Sequence, residues 1–177
     1  MYMLPMGTSR HIIIRTLSDI RGWRSIKEKT MLTSERIEAD LTKAIAAENA
    51  DDFEESVRSV FSFGDTIGSE ISALLANALP MTWHTRHEDI VNALQDAKDP
   101  NTVDALYAAA LATHEYLEFD ENFGLARKCT WALADIGTEA ARARLEELAR
   151  CSNPKIRSYA RKRLDNWQEE IQRKKRY

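Results

Sequence analysis

The sequence predicts an all-α protein built as a short stack of helix pairs, and three observations carry that expectation. Only six glycines and four prolines occur in 177 residues, while Ala, Leu, Glu and Arg recur throughout; helix formers dominate, and the breakers that punctuate β-rich chains are scarce. Apolar residues then repeat at three- and four-residue spacing from residue 34 onward, the stripe of an amphipathic helix. One such stripe is also written twice: Leu125, Cys129, Leu133 and Ile136 are matched 31 positions later by Ile156, Ala160, Leu164 and Trp167. Each copy starts just after an asparagine, Asn122 or Asn153, and another amphipathic helix lies between them. A period of that length filled by two helices is the mark of an α-solenoid, in which stacking buries faces that one pair leaves open. At 44% hydrophobic residues, the chain carries enough apolar surface for such a core.

The elements follow in order. Residues 1–32 read as an N-terminal extension, with Pro5, Gly7, Thr8 and Ser9 in an aperiodic start. Met31 is a candidate natural start. Ile13, Leu17, Ile20, Trp23 and Ile26 have helical spacing and predict one helix near 12–29, although Ile12-Ile13-Ile14 suits a strand equally. Residues 33–177 form the repeat domain. Helix 34–48 presents Ile37, Leu41, Ala44 and Ile45. Helix 51–63 opens with Asp51 as N-cap and Glu54 three residues later, a capping-box spacing, and stops near Gly64. Helix 66–79 presents Ile67, Ile71, Leu75 and Leu79 before Pro80 ends it. Helix 85–98 presents Ile90, Val91 and Leu94 and closes at Asp99-Pro100. Helices 101–117, 123–136, 138–151 and 154–173 follow, separated by an acidic link, by Gly137 and by Asn153-Pro154. The connections are short, so consecutive helices should lie antiparallel, in the pairs (34–48, 51–63), (66–79, 85–98), (101–117, 123–136) and (138–151, 154–173). A frame shifted by one helix reads nearly the same.

The residues Ala126-Arg127, Ala132-Leu133, Ile136-Gly137, Leu145, Leu148, Asn153-Pro154-Lys155-Ile156-Arg157, Ala160 and Leu164 together resemble the HEAT-repeat family, especially its short HEAT-like variety known from bilin lyases. Asn153 stands where the family has an Asp at the turn, and Arg157 keeps the family's Arg. In the preceding pair Asn122 and Arg127 lie one position further apart. The resemblance covers residues 122–167; upstream only helix lengths support it. It implies a short right-handed α-solenoid of about four HEAT-like antiparallel helix pairs. HEAT-like folds also include DNA glycosylases with a Trp- and Asp-lined concave face, which Trp131 and Asp135, one turn apart, imitate. The acidic middle of this chain argues against DNA lying there.

Several function classes are excluded or disfavoured. No window of about 18 apolar residues exists, so no membrane span is expected. Residues 1–11 lack the order of a secretion signal. Cys129 and Cys151 fall at apolar helical positions and make no ligand pair, which suits a reduced, cytoplasmic protein. The net charge of −3 conceals an asymmetry: residues 35–123 hold five Lys/Arg against nineteen Asp/Glu, while residues 1–34 and 138–177 are net basic. Such polarity governs partners and association rates rather than fold.

Two candidate surfaces emerge. Glu115, Glu118, Asp120 and Glu121 are interleaved with Tyr116, Leu117 and Phe119. Carboxylates this dense repel one another unless a cation or basic partner offsets them, and interleaved aromatics suit an interface anchor. The alternative is a solvated helix end. The second surface, Lys155, Arg157, Arg161, Lys162 and Arg163, suits phosphate backbones or simply the solvated cap of a solenoid; Arg173-Lys174-Lys175-Arg176 extends it. His84 and His87 are three apart, but no third metal ligand is fixed by spacing, and they read as polar surface histidines at a helix start. No Gly-rich loop, nucleophile–base pair or Ca²⁺ spacing occurs, so neither metal, cofactor nor catalytic residue is expected. The chain is therefore expected to be a non-enzymatic binding module whose acidic surface, centred on Glu115, Tyr116, Glu118, Phe119, Asp120 and Glu121, receives a basic protein. Its size, degenerate repeats and acidic block resemble small bacterial immunity proteins that neutralise nuclease toxins. A nucleic-acid binder using the basic helix, or a scaffold subunit, is the alternative. Oligomeric state is not readable.

Overall fold

Helical periodicity becomes helices throughout the described part of the chain. The computed structural model describes residues 33–63 and 67–169, nearly all within a unit spanning 34–177. The expected helix near 12–29, Met31, Gly64 and the basic run 173–176 lie outside the described residues. Helix α1 covers 33–46. It is followed by α2 (Ala50–Ser62), α3 (Ser69–Ala78), α4 (His87–Ala97), a 3-10 turn (Pro100–Thr102), α5 (Val103–Leu111), a second 3-10 turn (Glu115–Leu117), α6 (Gly124–Ile136), α7 (Glu139–Leu148) and α8 (Pro154–Asp165). No strand occurs among the described residues.

The ends of these helices show why the sequence breaks where it does. Asn49, not Asp51, caps α2: its side chain accepts from the N–H groups of Asp51 and Asp52. Glu54 does not reach back to the cap but turns to Arg58 and Arg86. The Asn side chain can satisfy two of the four free N–H groups at once, and the two aspartates then sit favourably at the positive end of the helix. Helix α4 ends on Lys98 in the left-handed region, with φ 53°. Pro100 opens the next turn while Asp99 accepts from Asn101 N–H. Gly137, φ 70°, closes α6, where a side chain would be strained. Thr138 and Asn153 then cap α7 and α8.

Helix α6 is the centre of the packing and touches α4, α5, α7 and α8. Contacts also run α2 to α4, α4 to α6 and α6 to α8 on one side, and α3 to α5 and α5 to α7 on the other. The duplicated stripe supplies much of this core: Leu125, Cys129, Leu133, Ile156, Ala160 and Trp167 are buried. Each fully buried Leu or Ile contributes about 2 kcal/mol of apolar transfer, and removing one from this packing leaves a cavity besides.

Two expected helices differ from the prediction. The single helix 101–117 is interrupted: Ala112 is extended, with ψ 151°, and a short irregular link precedes the turn at Glu115. The break lets His114 and Tyr116 both turn toward α4, which a continuous helix would prevent. The helix expected over 154–173 is broken at Asn166, and its residues 170–173 lie outside the described residues. Asn166 turns its side chain back to Lys162 O, and a further helical turn at 167–169 brings Trp167 into the core.

Candidate functional site

A column of aromatic rings lies between α2, α4 and the link after α5. Phe53 of α2, His84, His87 and His114 follow one another with centroid separations of 4.6, 4.4 and 3.6 Å, and Trp83 meets both Phe53 and His84 edge-on. His84 and His87 are not the surface groups that were expected: they are 3% and 0% exposed, and His114 beside them is 7% exposed. His87 lies on the same stripe as Ile90, Val91 and Leu94, and that spacing was the signal that it faces inward.

Hydrogen bonds fix the tautomers. A carbonyl only accepts, so His84 Nε2–H donates to Ala78 O at 3.0 Å, and His87 Nε2–H donates to Met81 O at 2.9 Å. Each Nδ1 is left as an acceptor, taking Arg86 N–H in His84 and the Tyr116 hydroxyl, at 2.9 Å, in His87. Burial is the largest cause that holds all three imidazoles neutral. For His87, with its two neighbouring imidazoles adding to burial, the pKa falls from 6.5 to about 4. With their nitrogens so committed, His84 and His87 are not a metal site, and no group of three His, Cys, Asp or Glu among the described residues is placed to hold one.

Tyr116 ties this column to the acidic segment. The segment winds through successive tight turns, with Leu117 N–H donating to His114 O, Asp120 N–H to Leu117 O and Phe123 N–H to Asp120 O. Asp120 is committed internally: Oδ1 accepts from Asn122 N–H, and Oδ2 accepts from Gly124 N–H at the start of α6. From the far side Tyr159 of α8 donates to Asn122 O at 2.6 Å. The segment is thus held at Tyr116, at Asp120 and at Asn122.

What it presents is an aromatic ring among charges. Phe119 is 94% exposed, and Tyr116 and Phe123 are about two-fifths exposed, at 39% and 37%. Around them Glu115, Glu118 and Glu121 are exposed, and none has a side-chain hydrogen bond or ion pair among the described residues. Of the six residues that the sequence singled out, five are at the surface and Asp120 serves the turn. A cavity of about 540 Å³ opens beside them, walled by Ala110, Leu117, Phe123 and Leu125, with His114 in the wall and Glu118 and Glu121 among the lining groups. Sequence reasoning missed this cavity, because it exists only where α5 unwinds.

The basic surface is partly dismantled by the fold. Lys155, Arg161 and Lys162 are exposed, and Arg157, Arg161 and Lys162 line a shallow hollow with Asp165. Arg157 already donates to Cys151 O and Ser152 O. Arg163 is only 4% exposed, its guanidinium 3.5 Å over the Trp131 ring, so it is no phosphate ligand. That stacking also covers the Trp131 face, and Asp135 accepts from Gln95, so the pair does not form a base-binding pocket. No helix among the described residues is long and apolar enough to cross a membrane. No family model, curated protein or solved structure matches the chain.

Proposed function

We propose that the chain is a non-enzymatic protein-binding module, a short HEAT-like α-solenoid whose acidic loop receives a basic protein such as a nuclease toxin. The observation that carries this reading is Phe119: an almost fully exposed aromatic ring on a loop held at three points, ringed by carboxylates that have no partner among the described residues. An exposed aromatic ring offers a large apolar contact, and a loop already held in place loses little entropy on binding. The carboxylates would steer a basic partner and the ring would anchor it. The contacts α2 to α4, α4 to α6 and α6 to α8, with α3 to α5 and α5 to α7, are those that stacked helix pairs would make in either frame.

The test compares immobilised wild type with two variants, Phe119→Ala and Glu115→Lys/Glu118→Lys/Glu121→Lys, against nuclease-treated lysate of the native host. Asp120 is left intact because it holds the turn. A basic protein retained by wild type and lost from both variants is the expected result; retention unaffected by either variant refutes the reading.

A second reading rests on Lys155, Arg161 and Lys162, which are exposed on α8. A nucleic-acid ligand there would bind with a steep salt dependence that disappears when the three are replaced by Gln.

A further inference from the structure

The cavity beside the acidic loop is not explained by surface docking alone. Its walls are apolar at Ala110, Leu117, Phe123 and Leu125, and Glu118 and Glu121 also line it. Its volume, about 540 Å³, falls in the range of roughly 300–1,000 Å³ typical of ligand sites. One wall residue, His114, is 7% exposed, and its Nε2 has no hydrogen-bond partner among the described residues. The third carboxylate in the lining, Asp120, already accepts two backbone N–H groups. Among the described residues of the lining, Glu118 and Glu121 remain to receive charge.

A largely apolar chamber lined by two glutamates, with no cation among the described residues of its lining, selects a particular chemistry. A carboxylate ligand is repelled, and a purely apolar one leaves the charges unanswered. A fully hydrated small cation gains nothing from the walls. The complementary shape is a flexible apolar stem with a positive head, as in the side chain of Arg or Lys.

We infer that the cavity between α5, the acidic loop and the start of α6 takes an alkyl cation, the Arg or Lys side chain of the basic partner, with its stem against Leu117 and Leu125 and its head at Glu118 and Glu121. This rests on the basic-partner reading and sharpens it: Phe119 anchors the outside of the interface while one partner side chain enters the chamber.

Amide chemical shifts of the full chain, titrated with n-butylguanidinium, n-hexylammonium, 1-hexanol and hexanoate, test it. Both cations should shift Leu117, Gly124 and Leu125 saturably, hexanol should bind about fivefold more weakly, and hexanoate should not bind there. Glu118→Gln/Glu121→Gln should weaken the cations about fivefold and leave hexanol unchanged. Thr113→Tyr, at the exposed mouth, should weaken all three binders. The inference is overturned if no probe shifts these amides, if hexanoate matches the cations, or if the double variant binds the cations as wild type does. Cation binding without capture of a basic protein by Phe119 would keep the chamber and remove the partner; capture without cation binding would do the reverse.

Discussion

Lowering the pH from about 7 to about 4.5 should destabilise the protein through its buried histidines. Each imidazole is held neutral, its Nδ1 accepting and its Nε2 donating in His84 and His87, so a second proton has no carboxylate to meet inside the column. The charged groups beside the column are Arg86, Glu88 and Asp89 around the Tyr116 hydroxyl. His87 shifts from 6.5 in the open chain to about 4 when folded. Between those values the unfolded chain binds more protons than the folded one, so stability rises with pH there and is lost as pH falls from 6.5 toward 4. For one group with that shift the loss from about pH 7 to about pH 4.5 is about 2.5 kcal/mol, and solvent screening reduces it to about 1.5 kcal/mol. His84 and His114 shift in the same direction and add to the slope. Urea unfolding followed by far-ultraviolet circular dichroism at half-unit pH steps measures it, with His87→Gln as the comparison. The window is separable from that of Glu54, whose carboxyl is held at about 2 by Arg86 and Arg58 and which acts only as pH falls from 4.5 toward 2. Equal stability at about pH 7 and about pH 5, or a slope identical in His87→Gln, would refute the reasoning.

Tyr116→Phe removes the hydroxyl that His87 Nδ1 accepts, which should cost about 1–3 kcal/mol and speed proteolysis between residues 112 and 123; unchanged cleavage would show that the loop is held elsewhere. Gly124→Ala normally gains helix propensity, yet a Cβ there would lie 2.9 Å from Asp120 Oδ2 and 2.9 Å from Glu88 Oε1. Glu88 is a flexible side chain that can give way, but Asp120 is held by its own hydrogen bonds, so a net loss of about 1 kcal/mol is expected in thermal unfolding. Phe119→Ala should leave stability within about 0.5 kcal/mol of wild type while abolishing partner capture, which separates an interface ring from a structural one.

How far the sequence could be read depended on whether a residue's surroundings were local. The stripe shared by residues 125–136 and 156–167 announced two buried helix faces correctly, since helical period alone decides which side faces inward. Caps were harder. Asn49 and Asp51 both suit the role, and only the backbone turn at residues 47–49 decides between them. The acidic loop was visible as a charge pattern, but its cavity was not, because unwinding at Ala112 depends on His114 finding a ring 27 positions away in His87. Arg163 misled for the same reason. Its neighbours in sequence are exposed cations, while its own environment is set by Trp131 on another helix.

Phe123 adopts φ 52°, a conformation that disfavours any side chain by about 1 kcal/mol or more. Glycine would relieve that strain, so selection of this chain for heat resistance alone should enrich Phe123→Gly. The survivors would have traded one wall of the chamber for a more tolerant turn. Heat-selected descendants should therefore be sturdier and worse at holding an alkyl cation, and the two traits should separate at this single codon.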